Sequence, residues 1–106
     1  MKYKLIVTQR AEEHLDHILN YIINYLKNPQ AAVNLMNEIE QVFVNIEDRP
    51  KMYAYSEDAF LKSKEYRKAV VPGYNYVVIF RIDEEAISVY IVGFFHDLEL
   101  YNNKLK

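Results

Sequence analysis

The chain has 106 residues, 51% of them apolar, with 13 Lys or Arg against 15 Asp or Glu and a net charge of −2. That length suits one domain with one two-layer core, and the lack of cysteine excludes a disulfide framework or a thiolate–zinc site. The slightly acidic balance weighs against bulk positive charge as a way of holding nucleic acid. Charged residues arrive at Arg10, Glu12 and Glu13, too early for a signal peptide. No apolar run approaches the ~20 residues that span a bilayer. These features predict a cytoplasmic protein, one domain over 1–106, with no membrane segment.

In chain order, Lys4-Leu5-Ile6-Val7 reads as a short strand. Thr8 suits a helix N-cap, because its hydroxyl can accept from a free amide of the first turn. Ala11, Leu15, Ile18, Leu19, Ile22 and Leu26 then recur at steps of three and four, one apolar stripe on a helix. Asn28-Pro29 ends that helix and starts the next, with Asn28 as cap and Pro29 in the first turn. The second stripe is Ala32, Leu35, Met36, Ile39, Val42, Phe43 and Ile46, and Asp48-Arg49-Pro50 stops it. The two helices form a hairpin.

A mixed loop over 51–65 carries Met52, Tyr53, Tyr55 and Phe60, side chains suited to tucking against the edge of the core. Three strands follow, over 66–71, 74–82 and 86–95, separated by Pro72-Gly73 and Asp83-Glu84-Glu85. The fold class is α+β in the order β-α-α-β-β-β, a helical hairpin on one face of a mostly antiparallel sheet. A short C-terminal helix is possible after the last strand.

With two-residue turns at both hairpins, strand periodicity sorts the faces. Tyr74, Tyr76, Val78, Phe80, Ile82, Ile87, Val89, Ile91, Gly93 and Phe95 share the face expected under the helices. The other face collects Lys68, Asn75, Arg81, Ser88, Tyr90 and His96 among Val70, Val77, Ile79, Val92 and Phe94. A one-residue bulge would carry Arg67 to that second face. Apolar and basic residues mixed on one sheet face suit a binding surface or one covered by a partner.

Several stretches resemble the RelE/ParE toxins of bacterial type II toxin–antitoxin systems. They are 26–32 (LKNPQAA) at the helix junction, 66–71 (YRKAVV) opening the sheet, 74–83 after it, 89–97 (VYIVGFFHD) closing it, and Tyr101. The resemblance runs over the whole chain in the family's order. It implies a toxin neutralised by a cognate antitoxin that wraps an extended or helical tail around it. RelE-like members cut messenger RNA on the ribosome, whereas ParE-like members poison DNA gyrase without hydrolysis.

The leading expectation is a ribosome-dependent mRNA interferase; the alternatives are a ParE-like gyrase poison and a non-toxic relic that only binds antitoxin. For the nuclease, the resemblance implies a site of His96, Arg67 and Tyr101, with Lys68 and Arg81 on phosphate. Metal-free RNA cleavage needs a base for the 2′-hydroxyl, an acid for the leaving oxygen and cations for the phosphorane. The imidazole of His96 suits either proton role, and Arg67 suits bidentate phosphate contact. Tyr101 suits stacking on a base. The chain departs from the nuclease pattern at Asn75 and Phe95, where arginine would strengthen it. No cofactor and no metal are expected: His14 and His17 lack a third ligand and read as a solvated helix face.

Overall fold

A computed structural model describes residues 2–96 of the chain. Strand β1 spans Lys4–Val7, helix α1 Gln9–Asn20 and helix α2 Pro29–Asp48. A single 3₁₀ turn, Pro50–Met52, and a short helix α3, Ala59–Ser63, precede strands β2, Arg67–Val70, β3, Tyr76–Asp83, and β4, Ser88–His96. The expected order is therefore present, with α3 added inside the stretch read as loop. Asp58 creates it by accepting from the Leu61 amide at 3.1 Å, the ordinary capping bond. Leu61, rather than Met52 or Tyr55, is the apolar side chain this segment buries.

The sheet order is β1-β4-β3-β2, with β1 parallel to β4 and the other pairs antiparallel. Thr8 joins layer to layer: its hydroxyl accepts from the Ala11 amide at 3.2 Å and donates to the Ile91 carbonyl at 2.9 Å. One residue thus caps α1 and pins it beside β4. The two apolar stripes pack as the spacing requires, with Ala11, Ile22, Ala32, Leu35, Ile39, Val42 and Ile46 buried against Val78, Phe80, Val89, Ile91 and Phe94.

The first helix does not stay α-helical to Leu26. From Tyr21 to Tyr25 it widens to a π turn, closed by Leu26 N–H donating to the Tyr21 carbonyl at 3.0 Å. The extra residue rotates Leu26 off the stripe, and it is 55% exposed. Lys27 then takes φ +53°, and Asn28 caps α2 by accepting from the Ala31 amide at 3.1 Å.

A second departure decides the faces. In β4 the partner of Ile79 is Gly93 but the partner of Phe80 is Ile91, so Val92 is an extra residue, a β-bulge. Before it Val89 and Ile91 face the helices as expected. After it the parity reverses: Phe94 joins the helix-side core, and Phe95 lies with Val77 and Ile79 on the other face. Gly93 and Phe95 are therefore not on the helix-covered face, and Phe94 and His96 are not on the opposite one. The turn around Asp83 also lets Ile87 out, 39% exposed, instead of placing it in the core.

Among the described residues no helix is long and apolar enough to cross a membrane.

Candidate functional site

Arg67 opens β2 opposite Phe80 and stays on that side of the sheet, since β2 carries no bulge. Its guanidinium donates to the Tyr53 carbonyl at 2.6 Å and stacks on the Tyr55 ring at 4.1 Å. The backbone makes the same junction: Lys68 N–H donates to Ala54 at 3.1 Å and Ser56 N–H to Tyr66 at 2.9 Å. Arg67 therefore ties the segment after α2 to the edge of the sheet. Charge-assisted bonds to carbonyls are among the stronger ones, so this side chain is held rather than free to seek an anion.

Arg81 lies across β4 from Tyr90, its guanidinium 5.5 Å from that ring. Arg67 and Arg81 both line a cleft of about 380 Å³ at the sheet edge, together with Lys51 and Tyr55. Glu65, Asp83, Glu84 and Glu85 line it too, so three cations face four carboxylates. Lys51 pairs with Glu84 at 3.3 Å, and the Tyr3 phenol donates to the same carboxylate at 3.0 Å. That hydrogen bond to a carboxylate, followed by desolvation, raises the Tyr3 pKa above its ordinary value. A cleft of this composition offers phosphate no net positive field. Lys68 is opposite Ile79, half-exposed on the face away from the helices.

His96 ends β4 opposite Tyr76, the rings edge-on at 5.5 Å. Because of the bulge at Val92 it faces the helices. It lines a separate cavity of about 430 Å³ with His17, Ile18, Tyr21, Ile22, Leu26 and Tyr76. Tyr76 and Phe80 are four residues apart on β3, so His96 and Arg67 are displaced by ~13 Å along the strands alone. Arg81 is one residue further on and on the opposite face. The structure thus brings Arg67 and Arg81 to one cleft and leaves His96 and Lys68 elsewhere. Tyr101 and any C-terminal helix lie outside the described residues.

One of the two histidines of the first helix departs from the expected solvated face: His14 is half-buried against Phe95, ring centroids 4.7 Å apart, whereas His17 is exposed and borders the His96 cavity. The spacing of His17 and Tyr21, one helical turn, was the available sign that they share a surface. Among the described residues no group of three His, Asp or Glu is placed to hold a metal ion.

Residues 5–101 match the family model described as ParE toxin of type II toxin-antitoxin system, parDE. No curated protein matches the chain. Among solved structures it is similar to a chain of the chromosomal ParDE system from Pseudomonas aeruginosa, with TM-score 0.71 and 18% identity, over 90% of this chain and 96% of that one. It is also similar to a chain of the RelBE2 toxin–antitoxin complex from Mycobacterium tuberculosis, with TM-score 0.62 and 18% identity, over 91% and 99%. Likeness at that identity bears on the fold, whereas the family model spans nearly the whole sequence. The chain belongs to the ParE toxin family of type II toxin–antitoxin systems.

Proposed function

We propose that the protein, as one cytoplasmic toxin domain, is neutralised by a cognate antitoxin and arrests growth by binding DNA gyrase rather than by cutting RNA. The antitoxin follows from the family and from both similar structures, which come from toxin–antitoxin systems. The choice of target rests on one observation, the separation of His96 from Arg67 and Arg81. General acid–base work on a phosphodiester needs its groups within hydrogen-bond reach of one substrate, ~3 Å or one water away. A proton donor on the helix side, more than a strand's half-length from held or neutralised cations, does not meet that condition.

The test is direct. Purified full-length protein is added to gyrase, ATP and supercoiled plasmid; trapped double-strand breaks or lost supercoiling are expected, and unchanged gyrase turnover at saturating protein would contradict the proposal.

A second reading keeps the ribosome-dependent mRNA interferase, with His96 as acid or base, Arg67, Lys68 and Arg81 on phosphate, and Tyr101 stacking on a base. The observation in its favour is that a second imidazole, His17, lines the same cavity as His96 beside two phenols, so two proton carriers stand near one space. Trimmed transcripts on translating ribosomes would support this reading over gyrase.

A further inference from the structure

Beside the cavity that holds His96 stands an aromatic side chain that the fold leaves in water. Tyr25 is 77% exposed, and its ring lies 5.0 Å from that of Tyr21, which lines the cavity. The π turn from Tyr21 to Tyr25 accounts for this: its extra residue takes Leu26 off the core stripe and gathers Tyr21, Tyr25 and Leu26 at the rim. Such insertions in a helix often mark functional positions.

The projecting ring and the hollow beside it have matching chemistry. The hollow, about 430 Å³, is walled by Ile18, Ile22 and Leu26, and its polar tips are the imidazoles of His17 and His96. A tyrosine has the complementary form, an apolar ring that ends in one hydroxyl able to donate or accept. No Lys, Arg, Asp or Glu is among the described lining residues, so a charged ligand finds no opposite charge there.

Ring and hollow sit side by side on one surface, and that selects the occupant. A twofold axis lying in the contact plane, midway between them, sets the Tyr25 of each copy over the hollow of the other. The surface is therefore complementary to itself, as a twofold contact requires. Such a contact also brings each charge close to its own copy, so it disfavours charged surfaces. From Ile18 to Asn37 the sequence carries one charged residue, Lys27. The area fits a weak pair. Tyr21, Tyr25 and Leu26 expose roughly 350 Å² on each copy, taking about 200 Å² for a whole aromatic side chain. With the walls of both hollows a pair buries on the order of 1,000 Å², the size of a transient contact rather than an obligate one.

We propose that two copies of this chain form a transient twofold dimer in which Tyr25 of each enters the hollow bordered by His17 and His96 of the other. The proposal goes beyond the toxin assignment and holds for either cellular target.

The experiment is sedimentation equilibrium of the purified full chain from micromolar to millimolar concentration. The average mass is expected to rise with concentration toward twice the monomer value, and dilution over the same range to move the amide signals of residues 17–26, Tyr76 and His96. Tyr25→Ser, at an exposed position that leaves the thermal midpoint in place, removes the ring and is expected to weaken association at least tenfold, the effect of losing a central aromatic contact. His17→Trp, also at an exposed position, fills the hollow and is expected to do the same. An equimolar mixture of the two variants is expected to associate better than either alone, because one keeps an open hollow and the other keeps Tyr25. A chain that stays monomeric at millimolar concentration, a dimer that either variant leaves intact, or a mixture no better associated than its components would each overturn the proposal.

Discussion

At the scale of single residues, two positions have roles that follow from contacts the chain makes with itself. A β-carbon added at Gly93 would meet the Phe95 ring, whose Cζ lies 2.7 Å from that position, with His14 Nδ1 at 3.2 Å. Phe95 is buried, so its ring cannot swing into solvent. Gly93→Ala is therefore expected to cost roughly 1–3 kcal/mol, the usual range for overpacking, measured by urea unfolding; an unchanged midpoint would mean that β4 shifts freely at the bulge.

Arg67 makes the opposite case, a candidate site residue whose guanidinium is already engaged within the chain. Lysine keeps the charge but loses the planar stack on Tyr55 and the fork that reaches the Tyr53 carbonyl. Arg67→Lys should lower stability by about 1 kcal/mol, and growth arrest should weaken only in proportion to the folded protein lost. Full stability with abolished toxicity would instead return Arg67 to the contact with the target.

At the scale of elements, the turn from β3 to β4 carries strain. Ile87 has φ +48°, a left-handed conformation that a β-branched side chain rarely adopts. Its amide bonds to the Glu84 carbonyl at 3.2 Å, and its carbonyl accepts from Lys4 at 2.9 Å, so the turn cannot relax without releasing β1. Ile87→Asn, which tolerates that conformation, should raise stability by roughly 0.5–1 kcal/mol. A lower thermal midpoint would show that the half-exposed aliphatic contact outweighs the backbone strain.

The elements also show what periodicity reveals and what it hides. Thr8 and Asn28 were legible as caps because the bond they make is local and specified by residue type, and the two stripes were legible because burial is all they record. The bulge at Val92 was not legible. Val92 has neighbours as apolar as itself, so parity alone gives no sign of an inserted residue, and everything after it changes face. His96 was therefore expected beside Arg81 and Lys68 and lies with Tyr76 and the first helix instead. The π turn escaped for a related reason: the apolar spacing from Ile22 to Leu26 fits an α-helix, while the extra residue is visible only in the Tyr21–Leu26 bond. Helix α3 was hidden inside a polar loop, although Asp58, three residues ahead of Leu61, was its signal.

At the scale of the whole molecule, hydrogen bonding and burial together set an alkaline limit. Glu84 raises the pKa of Tyr3, chiefly through the hydrogen bond, and burial raises that of Tyr53, with Asn45 opposing. Both folded values lie above the ordinary 10.0, so the native state favours the neutral phenol. Their contribution is fully present below pH ~10 and is lost as pH rises through the raised folded values. Tyr3→Phe should make the fall of stability above pH ~10 shallower, measured as unfolding midpoint against pH, and an unchanged slope would remove Tyr3 from the cause.

Membership of the ParE toxin family, the separation of His96 from Arg67 and Arg81, and a cleft whose carboxylates outnumber its cations are what support the proposal of a toxin that works by contact. The most direct measurement is induced expression in a bacterium of wild type beside His96→Ala, reading growth, the DNA-damage response and primer extension on an abundant transcript. Growth arrest by both proteins, with a DNA-damage response and no new transcript ends, is the predicted result; arrest by wild type alone, with new cuts in the transcript that His96→Ala abolishes, would contradict it.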